Sequence, residues 1–230
     1  MISDLQIQEY NTRLAEIGLT LCHTDEGLSL TDGELSIMAD FREMLPRLKQ
    51  SNLQREMLVK AARIKGQEMP QTLVDATAGF GEDSLILAAA GFEVRLYEFD
   101  PIIAALLDDC LERARLIPEL ADAVSRMTLI SGDSVEGMKK LDYKPDIVLL
   151  DPMFPARQKS ALIKKKFQLI QRLESPCSTE EELLDAAVVA DPKRIVIKRP
   201  LKGPFLAGRK PSYSLNGKAI RYDCFVFARN

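Results

Sequence analysis

The sequence places a carboxylate, a proline and an aromatic ring close together in the segment Asp151-Pro152-Met153-Phe154-Pro155. A carboxylate and a backbone carbonyl can accept the two N–H bonds of an exocyclic amine, which turns its lone pair toward an electrophile. Proline fixes φ and holds its carbonyl rigidly, and an aromatic ring can stack on a base. The segment therefore predicts activation of a base amine, with Asp151, Pro152 and Phe154 as catalytic residues. The alternative is a simple X-Pro turn.

A loop of small residues with acids at its end, DATAGFGED at 75–83, lies further upstream. Gly79 and Gly81 permit a tight turn into a helix. Glu82 and Asp83 would repel a phosphate at the start of that helix, but they suit a ligand with a cationic centre. The loop thus favours S-adenosylmethionine, which has a sulfonium and an ammonium group, over NAD. A tight turn without a ligand is the alternative.

Further acids follow the predicted strands. Asp75 ends the first of them, and Glu98 lies 23 residues later, near the spacing at which an acid binds ribose hydroxyls. Asp133 and Ser134 follow the third strand, where an adenine would lie, although both residue types are also common helix caps. We expect these four residues to contribute to donor binding, together with Asp151.

Basic residues cluster after the reaction segment and after the fifth predicted strand. They are Arg157, Lys159, Lys164, Lys165, Lys166, Lys198 and Arg199. A lysine run alone is usually a solvated helix face. Beside a base-binding segment, it predicts a rim that contacts nucleic-acid phosphates.

The segments described above lie within a series of predicted strands and helices that alternate along the chain. Strands are predicted at 72–75, 93–98, 127–130, 146–150, 194–198 and 220–228, and helices at 51–64, 83–90, 101–115, 161–173 and 179–190. Such a series indicates a parallel sheet with helices on both faces, where ligands bind beyond the carboxyl ends of the strands. Residues 1–70 are predicted to form a small N-terminal lobe with a hairpin at Asp32-Gly33, and 71–230 the main domain.

The composition excludes several other classes. The chain has 230 residues, a net charge of −3, one histidine and four cysteines without a CxxC pair. His23 cannot build a multi-histidine metal centre, and we expect no metal site. Scattered cysteines, no secretory signal and no apolar run of ~18–20 residues predict a cytoplasmic protein that does not cross a membrane. Nine basic residues and no acidic one lie between 193 and 221, so the mild acidity does not exclude an anionic partner.

The order of the motifs resembles one family, the ribosomal RNA small subunit methyltransferase J family. The resemblance rests on DATAGFGED at 75–83, LYEFDP at 96–101, LDPMFP at 150–155, KSALIKKK at 159–166 and IVIKRP at 195–200. It covers most of 72–228 and is weakest in the N-terminal lobe. Asp-Pro-x-aromatic is also similar to the Asn/Asp-Pro-Pro-Tyr/Phe segment of amino-methyltransferases.

The resemblance implies a Rossmann-like class I methyltransferase fold, α/β and mostly parallel with the last strand antiparallel. It implies S-adenosylmethionine as the methyl donor and the N2 amine of a guanine in small-subunit ribosomal RNA, free or in the assembled subunit, as the acceptor. The donor-binding positions map to Glu82, Asp83, Glu98, Phe99, Asp133, Ser134 and Asp151. Phe99 and Asp133 stand where relatives have arginine and serine. Methylation of DNA or a small molecule and a non-catalytic RNA-binding role remain alternatives.

Overall fold

The computed structural model describes residues 2–152, 169–170, 172–173 and 179–228. The strands within these residues are β1 Thr20–Thr24, β2 Gly27–Thr31, β3 Ser36–Ile37, β4 Thr72–Asp75, β5 Glu93–Glu98, β6 Met127–Ser131, β7 Ile147–Leu150, β8 Arg194–Pro200, β9 Tyr213–Asn216 and β10 Ile220–Val226. The helices are α1 Asp4–Leu14, α2 Leu45–Leu48, α3 Gln50–Leu53, α4 Met57–Ala62, α5 Glu82–Ala89, α6 Pro101–Arg115, α7 Pro118–Ser125, α8 Ser134–Lys139 and α9 Glu180–Val189.

Seven of the ten described strands form one sheet in the order β6-β5-β4-β7-β8-β10-β9. The pairs from β6 through β8 are parallel, and β10 is antiparallel to both of its neighbours. The prediction of a mostly parallel sheet with an antiparallel last strand is confirmed. The sequence analysis missed β9, whose polar residues lie at the sheet edge with half-exposed side chains.

Two layers of helices cover the sheet and create its core. Helices α4 to α7 pack on one face and α8 and α9 on the other. All four residues of β7 are buried, with Ile147 and Leu149 on the first face and Val148 and Leu150 on the second. This is why β7 is a continuous apolar run rather than an alternating one. Its carboxyl end is thereby fixed at the centre of the sheet.

The N-terminal residues form a second, three-stranded sheet, β1-β2-β3. The predicted hairpin is confirmed, with Leu30 opposite Ile37 in register. Its apolar side chains, including Leu28 and Leu30, share one cluster with Ile102 and Leu106 of α6. The N-terminal sheet thus packs directly on a helix of the main sheet, and the boundary at residue 70 remains a prediction.

The single helix predicted over 51–64 is wrong, because the structure divides it into α3 and α4. Glu56 between them has extended backbone angles and pairs with Arg47, with 3.0 Å between Nε and Oε1. Helix α4 ends at Ala62, where Arg194 Nη1 donates to the Ala61 carbonyl at 2.8 Å. Apolar spacing continues through this break, so the sequence pattern did not reveal it. The short helices α7 and α8 were also not predicted.

Among the described residues, no helix has both the length and the apolar character needed to cross a membrane. The same residues contain no group of three or more histidine, cysteine, aspartate or glutamate side chains able to hold a metal ion. His23 is exposed on β1, far along the chain from the edge discussed below.

Candidate active site

The carboxyl ends of the central parallel strands bring most of the predicted site residues to one edge of the sheet. Asp75 ends β4, Glu98 ends β5, Asp151 follows β7 and Lys198 lies near the end of β8. The register pairs Asp75 with neighbours on both β5 and β7. Residues up to 123 positions apart are therefore brought to a common edge by strand pairing alone.

Asp75 lies beneath the loop that follows β4. Only 2% of the residue is exposed. Its Oδ1 accepts from the Thr77 N–H at 3.1 Å, and its Oδ2 accepts from the Ser84 hydroxyl at 2.6 Å. Burial raises the pKa of Asp75 to about 7, although these two bonds favour the ionised form. Both oxygens of this buried carboxylate therefore hold the loop in place, and direct contact of Asp75 with the donor stays a prediction.

The two glycines of the loop serve different purposes. Both have positive φ, 55° at Gly79 and 74° at Gly81. A Cβ on Gly81 would lie 2.8 Å from Leu107 and 3.3 Å from Phe41, so this glycine allows the loop to pack on α6. A Cβ on Gly79 would meet no atom of the described residues within 4 Å. The backbone at Gly79 therefore borders open space, as a loop must if a ligand is to approach it.

Glu98 is fixed by two backbone N–H groups. Its Oε2 accepts from Gly79 at 2.8 Å and its Oε1 from Asp100 at 2.9 Å. Burial raises the pKa of Glu98, and the N–H bonds from Asp100 and Gly79 oppose that rise. Each carboxylate oxygen has a second lone pair, so the two oxygens can still accept from a pair of ribose hydroxyls. Phe99 beside it is 45% exposed at the same edge.

Asp133 and Ser134 begin helix α8. The Asp133 carboxylate accepts from the Val135 N–H at 2.8 Å and so caps the helix, while Ser134 is buried. The loop before them is tied to β5, because the Gly132 N–H donates to the Glu98 carbonyl at 2.8 Å. The capping alternative is thus borne out for Asp133, and contact of either residue with the donor stays a prediction.

Asp151 emerges from the buried strand β7 and is held on both sides. Its N–H donates to Thr77 Oγ1 at 2.6 Å, which joins the reaction segment to the donor loop. Its Oδ2 lies 2.9 Å from Lys198 Nζ, and the same ammonium lies 2.6 Å from Asp83 Oδ2 on α5. Burial raises the pKa of Asp151, and the Lys198 charge opposes that rise. Pro152 follows Asp151, half-buried.

Lys198 and Arg199 differ from the prediction that both contact RNA. Successive residues of a strand point to opposite faces, so Lys198 turns toward α5 and Arg199 toward α9. Arg199 is 1% exposed, and its guanidinium donates to Glu180 Oε1 at 3.1 Å and to the Pro204 carbonyl at 3.0 Å. Lys198 is already paired with two carboxylates. Neither is therefore an exposed phosphate contact in this structure.

Thr77 and Tyr222 also contribute to this edge, although the sequence analysis did not select them. Tyr222 lies directly opposite Lys198 in the β10–β8 register and is 4% exposed. Burial raises the pKa of Tyr222, and nearby Asp83 adds to the effect. Thr77 lies within the DATAGFGED segment, so its polar side chain was visible. No sequence pattern indicated that Tyr222 would lie at this edge, because its position depends on the pairing of β10 with β8.

Six predicted site residues lie outside the described residues. They are Phe154 of the reaction segment and the basic residues Arg157, Lys159, Lys164, Lys165 and Lys166. Their assignments to base stacking and to RNA contact remain predictions from the sequence.

The described part of the edge fits S-adenosylmethionine. Glu82 and Asp83 occupy the first turn of α5, so a phosphate there would meet two carboxylates, whereas a sulfonium or ammonium group would be attracted. Glu98 offers a fixed carboxylate for a ribose, and the backbone at Gly79 borders open space. The residues thus match a cationic nucleoside better than a dinucleotide.

Comparison with known proteins agrees with this geometry. Residues 5–227 match the SAM_MT family of SAM-dependent methyltransferases. Proteins named Ribosomal RNA small subunit methyltransferase J are similar over most of the chain. The one from Thioalkalivibrio sulfidiphilus is 41% identical, covering 90% of this chain and 84% of its own length. That from Nitrosococcus oceani is 40% identical with the same two coverages.

Solved structures show the same fold. The SAM-dependent methyltransferase NGO1261 from Neisseria gonorrhoeae has a TM-score of 0.74 and 34% identity, covering 91% of this chain and 83% of that one. The rRNA methyltransferase aviRa from Streptomyces viridochromogenes has a TM-score of 0.50 at 15% identity, covering 76% and 84%, and shows the fold alone. The chain therefore belongs to the ribosomal RNA small subunit methyltransferase J family, whose methyl donor is S-adenosylmethionine.

Proposed function

We propose that this protein transfers a methyl group from S-adenosylmethionine to the N2 amine of a guanine in small-subunit ribosomal RNA. The observation that carries the proposal is the position of Asp151, which is anchored to the donor loop through Thr77. The names of the relatives support small-subunit ribosomal RNA as the substrate. The choice of guanine N2 rests on the family resemblance. Such a substrate would place the reaction in the cytoplasm.

The donor supplies an electrophilic methyl group on a positively charged sulfur. In the proposed complex, Glu98 holds the ribose hydroxyls, Phe99 and the Asp133-Ser134 turn border the adenine, and the acids Glu82 and Asp83 offset the positive charge. The open backbone at Gly79 supports this arrangement, because a ligand can lie against it without meeting a side chain.

The acceptor amine is a weak nucleophile because its lone pair is delocalised into the ring. Asp151 and the Pro152 carbonyl accept its two N–H bonds, which directs the lone pair toward the methyl group and offsets the charge that develops on nitrogen. Phe154 stacks on the base. As the N–C bond forms, the methyl–sulfur bond breaks and S-adenosylhomocysteine leaves, and the positively charged methylated nitrogen then loses one proton to solvent. Orientation and proximity supply most of the rate, so no strong general base is required. The guanine must be unpaired or extruded to reach this pocket.

The test compares Asp151→Asn and Asp151→Ala with the wild type. Both should lower the rate of tritiated methyl transfer to small-subunit ribosomal RNA by at least about 100-fold. S-adenosylhomocysteine binding measured by calorimetry should weaken far less, because Asp151 is one of several predicted donor contacts. Glu93→Gln is the matched control, because Glu93 is an exposed acid at the opposite end of β5. Full activity in Asp151→Ala would exclude this mechanism.

The choice of substrate needs a separate measurement. Wild-type protein would be offered 30S subunits, naked ribosomal RNA, DNA and free guanosine, and the methylated base would be identified by mass spectrometry. N2-methylguanine in one of the two ribosomal substrates is the expected product. Methyl transfer only to DNA or guanosine would show that ribosomal RNA is not the substrate. Binding of RNA without binding of the donor would indicate a non-catalytic role.

A further inference from the structure

Lys198 joins the two halves of the candidate active site. Its ammonium lies 2.6 Å from Asp83 Oδ2, in the first turn of the donor-side helix α5, and 2.9 Å from Asp151 Oδ2, in the reaction segment. The lysine itself comes from a third element, β8, so three separate parts of the chain meet at one ammonium group.

The position of Lys198 is determined by the sheet. Residue 197 is paired with Leu150 at the end of β7, and Lys198 is paired with Tyr222 on β10. Three-quarters of the Lys198 side chain is covered. If the ammonium left the carboxylates, it would leave partly buried charges without a partner, which is unfavourable.

The two carboxylates would oppose each other without this cation. Like charges in a shared, partly dry site favour protonation of one partner. A protonated Asp151 could no longer offset positive charge on an amine nitrogen. We propose that Lys198 is a positioning residue that holds Asp83 and Asp151 as one charged unit and keeps Asp151 ionised and aligned. The proposal rests on the methyl-transfer function given above.

The charged surroundings of Asp151 support this assignment. Titratable groups on four elements act on Asp151 or its neighbours: Asp83 of α5, Lys198 and Arg199 of β8, Tyr222 of β10 and Asp75 of β4. Arg199 points to the other face and is paired with Glu180, and Tyr222 is neutral at ordinary pH. Lys198 is thus the cation in direct contact with Asp151 among the described residues. Burial alone would lower the pKa of Lys198, but Asp83 and Asp151 outweigh it and raise that pKa.

The chain contains a matched control just before the same strand. Lys193 pairs with Asp146 at 2.9 Å near the opposite end of β8, with a similarly covered side chain. Removing either lysine breaks a partly buried lysine–aspartate pair, but only Lys198 lies at the ligand edge. A purely structural role would therefore give the same result for Lys198→Met and Lys193→Met.

The experiment follows the Asp151 carboxyl by ¹³C NMR in the full-length protein with labelled aspartate. The Asp151 signal is identified by its loss in Asp151→Asn. In Lys198→Met, the titration midpoint of Asp151 should rise by about 1–3 pH units. It should stay near the wild-type value in Lys198→Arg and in Lys193→Met. An unchanged midpoint in folded Lys198→Met, or an equal rise in Lys193→Met, would overturn the assignment.

A second variant covers the case in which Lys198→Met does not fold. Asp83→Asn removes the carboxylate that competes for Lys198 and opposes Asp151, so the Asp151 midpoint should fall; no change would count against the proposal. Methyl transfer provides the functional readout, because the acid limb of kcat/KM should move with the midpoint. Since the NMR titration needs neither donor nor RNA, an inactive wild type would reject the proposed function without altering the result for Lys198.

Discussion

At the scale of single residues, Asp75 combines deep burial with an ionisable group. Its folded-state pKa of about 7 lies above the ordinary value of 3.8. An acid with a raised pKa binds a proton more tightly in the folded state than in the unfolded state. Its ionisation therefore lowers stability as pH rises from about 4 to about 7, and the loss is complete above that range.

Asp75→Asn should remove this penalty. The amide can accept from the Thr77 N–H and donate to the Ser84 hydroxyl, which replaces both present bonds. We expect the free energy of unfolding at pH 8 to rise by about 2–4 kcal/mol relative to wild type, and the difference to shrink toward zero near pH 4. Urea denaturation across this pH range measures it. A difference independent of pH would show that Asp75 is not the titrating group.

The sequence predicts single residues best where a local rule determines them. Helix α6 begins at Pro101, the residue at which the sequence analysis began it, and Asp100 caps it by accepting from the N–H groups of Ile102 and Ile103. The burial of Arg199 was harder to see, because a run of basic residues hides the alternation between strand faces. Its partner Glu180 lies 19 residues away on α9, which no local pattern reveals.

At the scale of elements, the loop between β4 and α5 depends on the difference between its two glycines. Gly81→Ala should be severe, because it combines positive φ with contacts at 2.8 Å to Leu107 and 3.3 Å to Phe41. We expect a loss of roughly 3 kcal/mol in the free energy of unfolding.

Gly79→Ala is the matched control for this loop. It shares the positive φ but meets no atom within 4 Å, so its stability cost should be about 1 kcal/mol. Its effect should fall on donor affinity, because the added methyl group projects into the open space. Thermal unfolding and calorimetry with S-adenosylhomocysteine separate the two effects. Equal destabilisation by both variants would contradict the packing role of Gly81.

Helices and strands were predictable where the spacing of apolar residues agreed with the residues that begin and end an element. Strand β5 and helix α6 have the predicted bounds, 93–98 and 101–115. The break between α3 and α4 was missed because the apolar spacing continues across it. Strand β9 was missed because an edge strand needs no strong apolar alternation.

At the scale of the whole molecule, the N-terminal sheet and the main sheet share buried contacts through α6. Leu28→Ala removes a fully buried side chain from this common cluster, which should cost about 2–5 kcal/mol. Helix α6 packs against both sheets. Circular dichroism and tyrosine fluorescence should therefore report a single unfolding transition. Two separated transitions would instead support an independent lobe over 1–70.

The distribution of charge is also a property of the whole molecule. Of the nine basic residues from 193 to 221, Arg199 and Arg221 are buried, whereas Lys202 and Lys218 are exposed near the ligand edge. Lys202 follows the end of β8, and Lys218 lies in the turn before β10. These two residues can contribute to the RNA-binding face that the sequence predicted for Lys164–Lys166.

The double variant Lys202→Glu and Lys218→Glu should weaken RNA binding and reduce the slope of log K against log salt by roughly 1.5. Donor affinity should not change. Lys65→Glu with Lys144→Glu is the control, because both lysines are exposed and lie before β4 and β7, at the opposite edge. Filter binding at several salt concentrations gives the slopes. Equal slopes for both double variants would show that Lys202 and Lys218 do not contact the RNA.

The interior position of β10 has a consequence for synthesis of the protein. The strand nearest the carboxyl terminus inserts between β8 and β9 rather than adding to an outer edge. Until it emerges from the ribosome, β8 presents an unpaired edge and Tyr222 is absent from its place beside Lys198. A nascent chain therefore has an incomplete pocket until β10 has been translated and has paired with β8 and β9. Its full activity would begin only then.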